Sequence, residues 1–334
     1  MWRFRIVAVL LAVSLVIAGF YHEARAEEPK KVVFIRYRIE PAFFATVLKG
    51  FKEKMASRGF IEGRNVNYVD ILTRSADQTS LPDVIDGVNR HKDTADMFIT
   101  CGWVSMKARE MLKESGVPQL FVPVLESVAL KMLPSLIEPP QTNLSGIYLM
   151  YPPEKILRIA RFVIPEIKNY AYVYDSRIPA DLIFKSAYQD LPPEKMHGIS
   201  IHYLDLGEGV ERVRQAMAEL KIEAYGGIVG SFKNQRELAR SGVPVITSLT
   251  LDIEQESLPD FLDENTLAGL FNPFRYCGNQ AAEMTADIFD GLNSIENTVP
   301  RAARQVAFVN LKAATNLNRP ISVEVLETVD VIIK

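Results

Sequence analysis

The residues able to do chemistry in this 334-residue sequence are few, and the histidines are the first to test. His91, His197 and His202 are scattered through helix-end and strand-edge contexts without metal-ligand spacing, and His22 falls in the N-terminal segment. No HExxH, CxxC, GxSxG or GxxxxGK[ST] occurs, so zinc ligation, dithiol exchange, an activated serine and a phosphate loop all lack their motif. GEGVER, from Gly207 to Arg212, follows a strand and opens a helix as a dinucleotide-binding turn does. Arg212 stands where the third glycine belongs, and a tight strand-to-helix turn accounts for the stretch. With no base, nucleophile or metal set converging, neither an enzyme nor a cofactor is expected. Asn143-Leu144-Ser145 matches a glycosylation sequon but reads as turn chemistry together with Gly146.

What remains is noncovalent binding. Open α/β sheets hold ligands outside the carboxyl ends of their strands, so the residues there are the candidates. The first half of the chain supplies Arg36, Tyr37 and Arg38, then Thr100, Cys101, Gly102 and Trp103, then Glu126 and Ser127. The second half supplies Asp175, Ser176 and Arg177, then Gly230, Ser231 and Phe232, then Thr247 and Ser248; Tyr148 lies on the strand between the halves. Hydroxyls, aromatics and a few charges suit a small polar molecule. For an amino acid, Arg36 or Arg38 would pair the carboxylate and Glu126 or Asp175 the amine, with Tyr37, Trp103 or Phe232 stacking on a side chain. Trp103 and Tyr148 serve equally well as packing between lobes.

The elements that must position these residues alternate. KVVFIRY (31–37) is a continuous apolar run of the kind parallel sheets bury, and the next stretch repeats Phe44, Val47, Leu48, Phe51 and Met55 at helical spacing before Gly59. Strands NVNYVDI, ADMFIT, VPQLFVPV and SGIYLM follow, with helices over 81–89, 105–114 and 128–136. A second set holds YAYVYD, ISIHYLDL, AYGGIVGS and VPVIT, with helices over 154–162, 180–190, 210–220 and 234–241. Strand–helix alternation predicts parallel sheets covered on both faces, hence two doubly wound lobes. Pro139-Pro140 and Pro152-Pro153 bracket the stretch containing Tyr148, which reads as the chain crossing between lobes. After both sets come a strand at LAGLF, a long amphipathic helix, and QVAFVNLKAATNLN and VDVIIK, so further crossings are expected.

Met1 to Ala26 has a basic start at Arg3 and Arg5, an apolar run from Ile6 to Phe20 and Ala24-Arg25-Ala26 at its end. This is the layout of a secretory signal cleaved after Ala26, and the apolar run is shorter than the roughly 20 residues of a membrane span. The segment carries a net +2, which leaves the mature chain near −5 from a full-length −3. That mild acidity argues against nucleic acid as a partner. Only Cys101 and Cys277 are present, either as a disulfide or as two buried thiols.

Three stretches, in order, carry a resemblance. GFKEKMASRGFIEGRNVNY resembles the opening of the ABC-transporter substrate-binding family that includes tryptophan- and tyrosine-binding members. NLSGIYLMYPPEKILRIARFVIPEIKNYAYVYD is similar to its central segment, and FVNLKAATNLNRPISVEVLETVDVII to its ending. The resemblance implies a type 1 periplasmic binding fold: two α/β lobes joined by three crossings near Ile147, Leu270 and Gln305, closing on ligand as a hinged trap. Lobe 1 would comprise 27–146 with 271–304, and lobe 2 147–270 with 305–334. It further implies a monomeric periplasmic receptor that delivers a small molecule to an ABC permease, with Thr100, Cys101, Glu126, Asp175, Ser176 and Ser231 among its binding residues. A sensory protein feeding a membrane kinase or chemoreceptor is the alternative. The sequence departs from the family at Glu126-Ser127, where relatives carry Asp-Pro, and in an acidic insertion, LDIEQESLPDFLDEN.

Overall fold

The computed structural model describes residues 28–37, 44–73, 81–227, 237–250 and 252–334, and only the backbone of residues 127, 179 and 180. The expected signal segment, Arg38, and Gly230 to Phe232 lie outside them, as does the start of the helix expected over 234–241. Among the described residues, no helix is long and apolar enough to cross a membrane.

Two sheets organise the chain. The first contains β1 (Lys30–Tyr37), β2 (Val66–Thr73), β3 (Met97–Thr100), β4 (Gln119–Leu125), β5 (Leu144–Leu149) and β11 (Arg301–Ala302), in the order β11-β5-β4-β3-β1-β2. Every pairing in it is parallel. Val32 to Ile35 on β1 are fully buried because helices cover both faces of the sheet, which is why that strand reads as unbroken apolar sequence. Helices α1 (Ala45–Ser57), α2 (Leu81–His91), α3 (Val104–Leu112) and the short α4 (Glu126–Met132) connect these strands.

The second sheet runs β13-β12-β10-β9-β8-β6-β7. Its strands are β6 (Asn169–Tyr174), β7 (Ser200–Asp205), β8 (Ala224–Gly227), β9 (Val245–Leu249), β10 (Thr266–Phe271), β12 (Val306–Asn310) and β13 (Val331–Ile333). Only β10 and β12 pair antiparallel among the described strands. Helices α5 (Pro153–Val163), α6 (Pro179–Gln189) and α7 (Val210–Glu219) belong to this lobe, as do the terminal α9 (Leu311–Asn316) and α10 (Val323–Thr328). The remaining helix, α8 (Phe274–Phe289), packs back against α1 of the first lobe.

The crossings sit a few residues from their expected positions. β5 stays in the first sheet through Leu149, opposite Leu125, so residues 147–149 belong with lobe 1 and the chain crosses at Met150–Pro152. Of the two proline pairs only Pro152-Pro153 stands at a crossing, because the strand after Pro139-Pro140 pairs within lobe 1. Phe271 pairs with Leu249 and Val306, so the return crossing is Asn272–Pro273. The third runs from Ala303, whose N–H donates to the Tyr148 carbonyl at 2.7 Å, to Gln305. Two amide side chains lace the crossings together: Asn272 Nδ2 donates to the Arg304 carbonyl at 3.0 Å and Gln305 Nε2 to the Met150 carbonyl at 3.2 Å.

Cys101 and Cys277 are free and fully buried in the lobe 1 core, so the buried-thiol alternative holds. Burial pushes the Cys277 thiol up to about 12, which removes its nucleophilic form at ordinary pH.

Candidate functional site

Strand order reverses between β1 and β3 in lobe 1 and between β6 and β8 in lobe 2, and such switch points open the crevice of a doubly wound sheet. At the lobe 1 switch, Tyr37 is 7% exposed and packs edge-on against Phe44, with ring centroids 5.0 Å apart, and 6.0 Å from Trp103. Burial raises its phenol far above the ordinary tyrosine value. Gly102 makes this approach possible: its φ is +65°, and a Cβ there would stand 2.5 Å from the Tyr37 hydroxyl. Trp103 is half-buried at the start of α3, and its indole Nε1 is buried without a partner.

Three of the predicted lobe 1 residues turn away from the crevice or into other bonds. Thr100 is fully buried, and its hydroxyl accepts from Gln119 Nε2 at 3.0 Å. Cys101 is likewise fully buried, and desolvation holds its thiol well above the ordinary value. Arg36 forms a bidentate pair with Asp70 of the edge strand, Nε at 2.7 Å and Nη2 at 2.5 Å, so its guanidinium is engaged by the chain's own carboxylate.

At the lobe 2 switch, Asp175 accepts from the Arg177 backbone N–H and, through both carboxylate oxygens, from its guanidinium at 2.8 and 2.6 Å. The Arg177 guanidinium and N–H therefore hold Asp175 below the usual carboxylate range. Ser176 is exposed beside it and donates its N–H to Asp205. Ser231 is outside the described residues.

Glu126 and Tyr148 come together at the ends of β4 and β5. Tyr148 is 9% exposed, and burial followed by the nearby Glu126 charge raises its phenol. Glu126, exposed at the first position of α4, opens onto a cleft of about 390 Å³ walled by both lobes. Leu125, Leu130 and Leu149 form the lobe 1 wall, Ile183, Phe184 and Asp190 of α6 the lobe 2 wall, and Tyr151 of the first crossing the floor. Tyr151 stacks on Phe184 at 4.1 Å. An apolar cleft with carboxylates at Glu126 and Asp190 can hold an amphipathic molecule carrying an amine. Sequence reasoning missed Tyr151, Phe184 and Asp190. Tyr151 adjoins the Pro152-Pro153 signal, whereas the face of α6 is legible only once the lobes are assembled. No group of three or more His, Cys, Asp or Glu able to hold a metal occurs among the described residues.

No family model matches the chain, and no curated protein does. Solved structures do. The ligand-free, open structure of CD0873, a substrate-binding protein with adhesive properties from Clostridium difficile, aligns with a TM-score of 0.73 at 17% identity, covering 91% of this chain and 99% of that one. A conserved domain protein from Vibrio cholerae O1 biovar El Tor aligns at 0.65 and 18% identity, over 92% of this chain and all of that one. The ABC domain from Streptococcus pneumoniae in complex with L-Trp aligns at 0.65 and 14% identity, again over 92% and 100%. Two parallel-sheet lobes, three crossings and these alignments together give the chain the type 1 periplasmic binding fold, the fold of ABC-transporter substrate-binding proteins.

Proposed function

We propose that the chain is an extracytoplasmic solute-binding component of an ABC importer, trapping a small polar molecule, an amino acid or a related compound, between its lobes. The observation that carries this reading is the cleft at Glu126, walled by side chains from both lobes. A solute touching both walls binds the closed arrangement better than the open one, and that difference in affinity is what drives closure. Glu126 is the amine partner at this cleft on this reading, Asp175 at the lobe 2 switch joins it by releasing Arg177, Tyr37 and Trp103 at the lobe 1 switch are the stacking surface, and Ser176 and Ser231 supply hydroxyls. Arg36 is engaged by its ion pair with Asp70.

The test is a thermal-shift screen of residues 27 to 334, refolded to remove carried-over solute, against amino acids, small peptides, amines, organic acids, purines and sugars. At a hundredfold excess over its dissociation constant a true ligand stabilises by about 2.7 kcal/mol. Glu126→Ala and Asp175→Ala should each weaken the hit at least about tenfold, the loss of a charged hydrogen bond. Silence across the screen, or unchanged affinity in both variants, would sink the reading.

A further inference from the structure

The acidic insertion after β9 does not lie on its own lobe alone. Ile253 and Leu258 are buried against Phe271, Phe308 and Ile333, which fastens the segment to lobe 2. Residues Gln255–Phe261 wind into a 3-10 helix on that base. The carboxylates just before this helix point the other way, into lobe 1. Asp252 accepts the backbone N–H of Ala45 at 2.7 Å, the N–H of Thr46 at 3.1 Å and the Thr46 hydroxyl. Glu254 accepts from Lys49 at 2.6 Å and from Arg275 at 3.2 Å.

The α1 terminus needs such a partner. Its N-cap is Phe44, which lies in the left-handed region at φ 56°, stacks on Phe274 and supplies no side-chain acceptor. The first turn of a helix leaves N–H groups unsatisfied and carries partial positive charge, and α1 has no acidic residue of its own there. Asp252 provides the acceptor and the charge from 206 residues downstream on the other lobe.

We propose that Asp252, with Glu254 beside it, forms an inter-lobe clasp, and that Asp252 is a positioning residue setting the angle between the lobes by capping α1 in trans. All partners of the clasp belong to the chain itself, so it acts whether or not a solute is bound. Glu254 forms partly exposed ion pairs that contribute little. The Asp252 bonds, partly buried and made to three donors, are the ones that hold.

Double electron–electron resonance reads this directly. Nitroxides placed through Lys113→Cys in lobe 1 and Arg212→Cys in lobe 2 report lobe separation, and the two native thiols are fully buried and do not label. With Asp252 present the distribution should be single and narrow; Asp252→Ala should shift population to a longer distance while unfolding stays cooperative. A distribution unchanged in Asp252→Ala overturns the proposal. Should that variant not fold, Asp252→Asn with Thr46→Val, which preserves volume and removes the charge and the hydroxyl, is read by the same criterion. No solute is added, so the outcome is independent of the solute-binding reading.

Discussion

Asp252 shows how one carboxylate is pulled in two directions. Burial between the lobes raises it above the ordinary carboxylate range, while the Thr46 hydroxyl, the Ala45 and Thr46 N–H groups and Arg36 pull it back without cancelling the shift. The folded state therefore binds a proton here more readily than the unfolded chain does. The pH-dependent part of the Asp252 contribution to stability is then fullest below the unfolded value of about 4 and is lost as pH rises through the folded one, while the bonds to α1 persist after ionisation. Compared with Asp252→Asn in urea titrations between about pH 3 and pH 7, the parent chain should gain its greatest relative stability at the acid end. Glu254, held low by Lys49 and Arg275, titrates in both chains and drops out of the comparison; a gap that widens toward neutrality would contradict the assignment. The same residue scale limits what sequence could give. Thr100 and Cys101 stand at the strand end where ligand residues belong, but the chain around them is covered on both faces, and both side chains are fully buried. Arg36 was legible as a cation at the crevice and not as the partner of Asp70, because that pairing depends on β2 lying at the sheet edge beside β1.

At the scale of elements, the α1–α8 pair is a joint of close backbone approach. A Cβ on Gly278 would stand 2.1 Å from the Val47 carbonyl oxygen, and one on Gly50 would stand 2.4 Å from the Arg275 carbonyl oxygen. Two glycines facing opposite helices let the backbones meet, and either substitution forces them apart. Gly278→Ala should cost about 1–3 kcal/mol, the usual range for overpacking, seen as a lowered urea midpoint at unchanged slope. A neutral or stabilised variant would mean that the helices separate freely. Most elements were readable because buried parallel strands and amphipathic helices write distinct periods. β11 was not, since two residues, Arg301 and Ala302, carry no period. The lobe boundary was misplaced at 146/147 because nothing in SGIYLM distinguishes a strand inside one sheet from one passing between two.

The molecule as a whole turns on its three crossings and the two amides that bind them. Asn272 is fully buried, and its Nδ2 bond to the Arg304 carbonyl joins the second crossing to the third. Asn272→Ala leaves that carbonyl without its donor and should cost about 1–2 kcal/mol of global stability. It should also broaden the distance distribution between lobe labels, whereas Gly278→Ala, confined to lobe 1, should leave that width unchanged. Equal widths in both variants would show that the amides play no part in the hinge. The order of the crossings also bears on how the molecule is made. Lobe 1 is discontinuous: β1 to β5 come first, but α8, which covers α1, and β11, which pairs with β5, come only after strands β6 to β10. A chain delivered amino end first can seat Phe51 of α1 on Phe34 and Tyr68 at once, but the side of α1 at Gly50 and the Val47 carbonyl stays bare until residues 274–289 arrive to cover it. During synthesis the second lobe can complete its central strands while the first still waits for its last helix, so lobe 1 closes only after most of lobe 2 has been made.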